Sequence, residues 1–303
     1  MKHTISLFKP KSFKQFSITK KRSIDPFGGS EVVKKHPVPN PKRLSGKYAL
    51  ITGGSNGVGK ETSILFAQSG VEGVTIVDWN AAKGKEVADE INEMSKKKVA
   101  LFIQGDVSCD KQMERTFIEH MQRWGKLNIL FNNAGILANN DDGPCNTPLE
   151  DYNKTMDVNV KGVFLCHKYG IPEMLKSGGG SIINVASIVA LAGSAAAQVV
   201  YTASKGAVLA MSREIAIMYA KDNIRVNSVC PGPLSTELLR NFLNTDEKLD
   251  RRLVHNPIGR FGHPKEIAQT VTFLASDESS LITGTHIVAD GGITAAYVTP
   301  DKI

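Results

Sequence analysis

The chain has 303 residues, 41% of them hydrophobic and 22% charged, a composition that lets a globular protein bury a sizeable core. Its net charge of +7 is uneven: residues 1–46 carry eleven Lys and Arg against Asp25 and Glu31, so that segment holds +9 and the remainder −2. The basic excess therefore gives no ground for a nucleic-acid surface on the folded part. No apolar run approaches the ~18 residues of a membrane-spanning helix, so membrane insertion is not expected. Four cysteines, Cys109, Cys145, Cys166 and Cys230, are scattered without a CxxC pair or close His spacing. That pattern speaks for reduced thiols in an intracellular protein and against a metal site.

Residues 1–46 read as a basic, disordered extension. They lack the continuous apolar stretch of a secretory signal. Their Ser-containing, acid-poor character also fits a mitochondrial targeting peptide, although they use Lys more than Arg. The expected location is thus cytoplasmic or mitochondrial. Pro37, Pro39 and Pro41 mark an extended linker into one domain over residues 47–303. From Lys47 short apolar strands, at 48–52, 73–78, 99–104, 127–132, 180–184, 225–229 and 285–288, alternate with amphipathic helices. The longest helical stretches fall near 150–174, 200–221 and 264–275. Such alternation predicts an α/β fold, a seven-stranded parallel sheet covered on both faces.

Between the first strand and first helix lies Thr52-Gly53-Gly54-Ser55-Asn56-Gly57-Val58-Gly59. Glycines here let the backbone turn tightly and approach a pyrophosphate, and the helix N-terminus offers free N–H groups. Gly54 to Lys60 also spells the opening of a triphosphatase P-loop, but Glu61 stands where the magnesium-binding hydroxyl belongs. Asp78, about twenty residues past the turn, can accept hydrogen bonds from an adenosine ribose and would repel a 2′-phosphate, which favours NAD over NADP.

The chemical constellation is Ser187, Tyr201 and Lys205. Tyr201 and Lys205 are four apart on a predicted helix and share a face. An ammonium near a phenol lowers the phenol's pKa from about 10, and such a tyrosine can exchange the proton that accompanies hydride transfer.

Taken together these residues resemble the short-chain dehydrogenases/reductases, over residues 44–298. TGGSNGVG at 52–59 resembles the family's TGxxxGxG, and Asn132-Asn133-Ala134-Gly135 its NNAG. Asn159 matches the helix asparagine, Ser187 the serine, and YTASK at 201–205 the YxxxK. Pro231-Gly232 with Thr236 matches PGxxxT. The resemblance implies a doubly wound Rossmann-type domain. It implies Tyr201 as general acid/base, Lys205 as the group that lowers its pKa and binds the nicotinamide ribose, and Ser187 as the substrate-oxygen donor. Asn159 would hold a water linking Lys205 to solvent. Gly53, Ser55, Asn56, Gly57, Val58 and Gly59 would carry the pyrophosphate and Asp78 the ribose. Asp106 and Val107 would sit by the adenine, and Asn133, Ala134 and Gly135 beside the cofactor spine. Pro231, Gly232, Leu234 and Thr236 would border the nicotinamide. Ser187 precedes Tyr201 by fourteen residues, one more than usual in the family, so the loop between them must absorb a residue.

Loops 136–145, 188–199 and 234–255 are the expected substrate contacts. The first two include Ile136, Leu137, Val189, Leu191 and several alanines, and no Arg or Lys stands out in the second, which favours a neutral secondary alcohol or ketone. The resemblance also implies a homodimer or homotetramer built on the helices near 150–174 and 200–221. The competing reading is a catalytically idle dinucleotide-binding protein on the same fold, and the intact Asn159, Ser187, Tyr201 and Lys205 set counts against it.

Overall fold

In a computed structural model the described residues are Pro26 and 40–297, except 195, 237, 238, 240–242 and 244. The sheet runs β1 (Tyr48–Thr52), β2 (Gly73–Asp78), β3 (Ala100–Gln104), β4 (Ile129–Asn132), β5 (Gly180–Val185), β6 (Ile224–Pro231) and β7 (His286–Ala289). The helices are α1 (Gly57–Gln68), α2 (Ala81–Ser95), α3 (Asp110–Trp124), α4 (Leu149–Met156), α5 (Gly162–Lys176), α6 (Val199–Tyr219), α7 (Asp246–Leu253) and α8 (Pro264–Ala275). The spatial strand order is β3-β2-β1-β4-β5-β6-β7, and all the pairings are parallel.

Parallel strands need crossover helices, and those helices cover both faces of the sheet. The apolar runs of the sequence therefore become interior strands, and β2 is buried at every position. One face packs against α1 and α8 through Phe66, Ile267, Val271 and Leu274. The other packs against α3, α5 and α6 through Phe117, Leu165, Met174 and Ala216. From β1 the chain builds outward to β2 and β3, then crosses back to β4 on the other side. This reversal leaves a crevice at the carboxyl ends of β1 and β4, where Thr52 pairs with Asn132. Open α/β sheets bind their ligands at such a point.

The expected helix near 150–174 is interrupted. Residues Asp157–Lys161 form a π turn between α4 and α5. Helix α3, which the strand–helix alternation did not single out, carries buried Met113, Thr116, Phe117 and His120 along one face.

Residues just before 47 also pack on this fold. Leu44 is fully buried in the cluster with Phe66 and Ile267. Its N–H donates to the Ser69 carbonyl at 2.8 Å. Arg43 pairs with Glu278 at 2.6 Å. The basic neighbours of Leu44 masked its core position in the sequence. The readings of residues 1–39 as disordered or as a targeting peptide lie outside the described residues, apart from Pro26. Its carbonyl accepts a hydrogen bond from the Phe261 N–H at 2.9 Å. Among the described residues no helix is long and apolar enough to cross a membrane.

Candidate active site

The Gly-rich turn closes the carboxyl end of β1. Gly53 and Gly57 have φ of +63° and +52°, a region that L side chains avoid. A Cβ on Gly59 would land on the Gly53 carbonyl, and one on Gly53 would stand 2.9 Å from the Ala134 Cα. Asn56 caps α1, its side chain accepting from the Gly57 N–H at 2.8 Å. The Val58 side chain is spent on the core, so only its backbone faces the turn.

The NNAG segment after β4 braces this turn. The Asn133 side chain donates to the Thr52 and Gly53 carbonyls at 3.1 and 2.9 Å. The Thr52 hydroxyl accepts from the Asn133 and Ala134 N–H groups. Asn133 thus supports the cofactor turn by holding its backbone. Thr52, the first residue of the motif, has a side-chain role that the spacing of glycines does not reveal.

Asp78 is buried at the end of β2. Its Oδ2 accepts from the Ser55 hydroxyl at 2.6 Å and from the Ser55 N–H at 3.1 Å. Its Oδ1 accepts from the Asn80 N–H at 3.0 Å. A carboxylate has about four lone-pair sites, so about one acceptor site remains open on Asp78. Asp106 caps its own turn through Ser108, whose N–H and hydroxyl donate to Oδ1 at 2.9 and 2.7 Å. Val107 packs where Gly162 lacks a side chain.

Pro231 ends β6. Gly232 donates to the Ala289 carbonyl at 3.1 Å, and a Cβ there would crowd Asp290. The side chain of Leu234, partly buried, packs against Gly262 and the core. Thr236 faces Gly57 across the crevice: a Cβ on Gly57 would meet only the Thr236 methyl, at 3.9 Å.

Ser187, Tyr201 and Lys205 meet at the carboxyl end of β5 and the start of α6. Ser187 hydrogen-bonds Tyr201, so the extra residue in the intervening loop does not part them. The Lys205 ammonium, buried, donates to the Val185 carbonyl at 2.8 Å and lies 5.6 Å from the centre of the Tyr201 ring. Asn159 sits in the π turn, a distortion that recurs at functional sites. It is fully buried. Its amide exchanges two bonds with the Ile136 backbone, at 2.8 and 2.9 Å, and donates to the Ser204 hydroxyl at 3.0 Å. A Cβ on Gly135 would meet the Lys205 Nζ at 3.2 Å and the Asn159 Oδ1 at 3.3 Å.

The electrostatics depart from the sequence expectation. Burial pushes the Tyr201 phenol above its ordinary value, and the Ser187 hydrogen bond opposes it. Burial brings Lys205 down to about 8, with Cys230 opposing. The lysine donates to the Val185 carbonyl, and burial moves Tyr201 in the direction opposite to the expected lowering.

Asp141 was not foreseen. It lies in the 136–145 loop, and its two carboxylate oxygens accept from the Val200 N–H at 3.1 Å and the Tyr201 N–H at 2.7 Å. Among the described residues no group of three or more His, Cys, Asp or Glu is gathered to hold a metal.

A family model described as enoyl-(acyl carrier protein) reductase matches residues 53–294. The chain is a short-chain dehydrogenase/reductase. An uncharacterised oxidoreductase of Thermotoga maritima is 41% identical, over 83% of this chain and 99% of its own. The cyclohexanol dehydrogenase of Acinetobacter sp. strain SE19 is 37% identical, over 84% of this chain and 97% of its own. Among solved structures, a short-chain type dehydrogenase/reductase from Mycobacterium marinum superposes with a TM-score of 0.79 at 34% identity, covering 85% of this chain and 99% of that one. As a member of this family the short-chain dehydrogenase/reductase described here is an oxidoreductase acting on CH–OH groups with a nicotinamide cofactor. The residues fit such a group. Gly53, Gly57 and Gly59 carry no side chain into the turn, and a Cβ on Gly57 would have nothing but the Thr236 methyl within 4 Å.

Proposed function

We propose that this enzyme is an NAD-dependent dehydrogenase of neutral secondary alcohols and the matching ketones, with Tyr201 as its general acid/base. The observation that carries the reading is the meeting of Ser187, Tyr201 and Lys205 beside the β1–β4 crevice. A nicotinamide, when bound, would supply the hydride acceptor or donor. The rest falls to the chain. The Ser187 hydroxyl holds the substrate oxygen within reach of the Tyr201 hydroxyl. In reduction Tyr201, which burial keeps protonated, donates its proton to that oxygen. In oxidation Tyr201 takes the proton, which requires stabilisation of the phenolate, and the Lys205 ammonium is the nearest built-in source. Asn159 fixes the Ile136 backbone that borders the substrate space.

The choice of NAD rests on Asp78, whose carboxylate closes the ribose end and would repel a 2′-phosphate. The substrate class rests on Ile136, Leu137, Val189 and Leu191, apolar side chains of the flanking loops. Leu137 and Leu191 are each 41% exposed, which leaves them available to a ligand. The named relative makes cyclohexanol the first substrate to try. We place the oligomer interface on α5 and α6, where Phe164 and Ile217 are 53% and 75% exposed.

The test is a screen of cyclohexanol and other secondary alcohols against NAD and NADP, followed through reduced-cofactor absorbance, and repeated with Tyr201→Phe. The substitution removes one hydroxyl, so the fold and NAD binding survive while turnover falls at least about 10²-fold. Near-parental turnover in Tyr201→Phe overturns the mechanism.

A further inference from the structure

The catalytic helix begins where its own sequence supplies no cap. Gln198, at the N-cap of α6, makes no side-chain capping bond, and Val199, Val200 and Tyr201 form the first turn. The first four N–H groups of a helix have no partner within it, and here they open beside the substrate space. The loop after β4 supplies what is missing. The Val199 N–H donates to the Asp142 carbonyl at 3.2 Å. The Val200 and Tyr201 N–H groups donate to the two oxygens of Asp141. The Thr202 N–H returns to the Gln198 carbonyl at 3.0 Å. Every N–H of the first turn is thereby satisfied, and Asp141 holds the amide of Tyr201 itself.

The loop that brings Asp141 is built to stay in place. The Asp141 N–H donates to the Ala138 carbonyl at 3.2 Å. The Asp142 N–H donates to the Thr147 hydroxyl at 2.9 Å, and Asn146 donates to the Asp142 carboxylate at 3.2 Å. Asn140 donates to Asp151, at the start of α4, at 3.0 Å. Asn159 clamps the loop's other end at Ile136. The same ten-residue stretch that borders the substrate thus grips the helix turn carrying the acid/base.

We propose that Asp141 is a positioning residue for Tyr201, capping α6 from the substrate loop so that the phenol is held at the reacting oxygen. The proposal rests on Tyr201 as the acid/base. Lys205 lies one turn farther along α6 and is tied separately to Val185, so loss of Asp141 frees the tyrosine while leaving the lysine anchored. The effect falls on proton transfer and spares the cofactor.

The test compares Asp141→Ala, Asp141→Asn, Tyr201→Phe and the Asp141→Ala/Tyr201→Phe double variant. The first readout needs neither cofactor nor substrate. Amide hydrogen exchange at Val200 and Tyr201 quickens about five- to tenfold in Asp141→Ala, as loss of a helix cap predicts. Asn keeps one acceptor oxygen and restores part of the protection. The second readout is turnover of cyclohexanol, or of the best secondary alcohol in the screen. In Asp141→Ala, kcat falls about tenfold, as expected when a reacting group is displaced, while KM and NAD affinity hold. Asp141→Asn recovers much of kcat, and the double variant is no slower than Tyr201→Phe. Unchanged exchange in Asp141→Ala overturns the proposal, as does an equal loss of turnover in the Tyr201→Phe background. Retained turnover in Tyr201→Phe alone would instead overturn the acid/base reading, with the exchange result still reporting on the cap.

Discussion

The two ends of the crevice are held in different ways. At the cofactor end the shape is set by what is missing: Gly53 and Gly59 carry no Cβ because the neighbouring backbone occupies the space. At the chemical end the shape is set by what is supplied. Tyr201, Lys205 and Ile136 each donate a hydrogen bond that fixes them to an acceptor distant in the chain: Asp141, Val185 and Asn159. Close packing tolerates no added atom, so the first end should fail abruptly. Hydrogen bonds can be weakened one at a time, so the second should fail by degrees.

Gly59→Ala puts the largest strain on this contrast. The added methyl meets the Gly53 carbonyl and lies 2.7 Å from the Asn133 Nδ2. Overpacking of this kind costs about 1–3 kcal/mol, and NAD affinity measured by titration calorimetry should fall about 10- to 10²-fold. Unchanged affinity would show that the turn is looser than its contacts imply.

Asp78→Ala is milder and more selective. It removes the ribose acceptor and the repulsion of a 2′-phosphate, and it releases Ser55. The ratio of kcat/KM with NAD to that with NADP should drop about tenfold, the scale of one hydrogen bond to a charged group. A parental enzyme that prefers NADP would refute the assignment outright.

The smallest effect separates two buried histidines. His120 sits between α3 and β2 in a closed chain. Trp124 donates to the Thr75 hydroxyl at 3.0 Å, that hydroxyl meets His120 Nδ1 at 2.8 Å, and Nε2 meets the Lys126 carbonyl at 3.0 Å. His167, beneath the chemical end, has no partner at Nδ1. Burial lowers both from 6.5 to about 4. The unfolded chain therefore binds more protons between those values, and stability is lost as pH falls through that window. The melting temperature should decline from pH 6.5 toward 4, and His167→Asn should remove its share of the decline. A melting temperature that does not change across this window would show that neither imidazole stays neutral on folding.

Most of the sheet was legible because parallel strands must be apolar throughout, so short runs such as 48–52 and 73–78 stand out. Leu44 was hidden because its neighbours are Lys, Arg and Ser, and its burial comes from α1 and α8. The cofactor turn was legible for a local reason, since steric exclusion writes glycines into consecutive positions. The chemical end was legible only in its reacting groups. Asp141 lies 60 residues before the amide it caps, and no spacing rule connects them. The poor capper Gln198 was the one available sign that a cap had to come from elsewhere. The direction of the Tyr201 shift was missed because burial sets it, and helical spacing fixes only which face the tyrosine and lysine share.

The π turn at Asp157–Lys161 has a genetic corollary. Wider turns of this kind place one residue more than an α-helix can seat, so α4 and α5 run out of phase by about one residue's rotation across Asn159. Exchange of one amino acid for another alters a side chain but leaves the count of residues untouched. Loss of a single codon within the turn would bring the helix back into phase and swing residue 159 away from Ile136 and Ser204. The placement of this asparagine is therefore recorded in the length of the gene as much as in its letters.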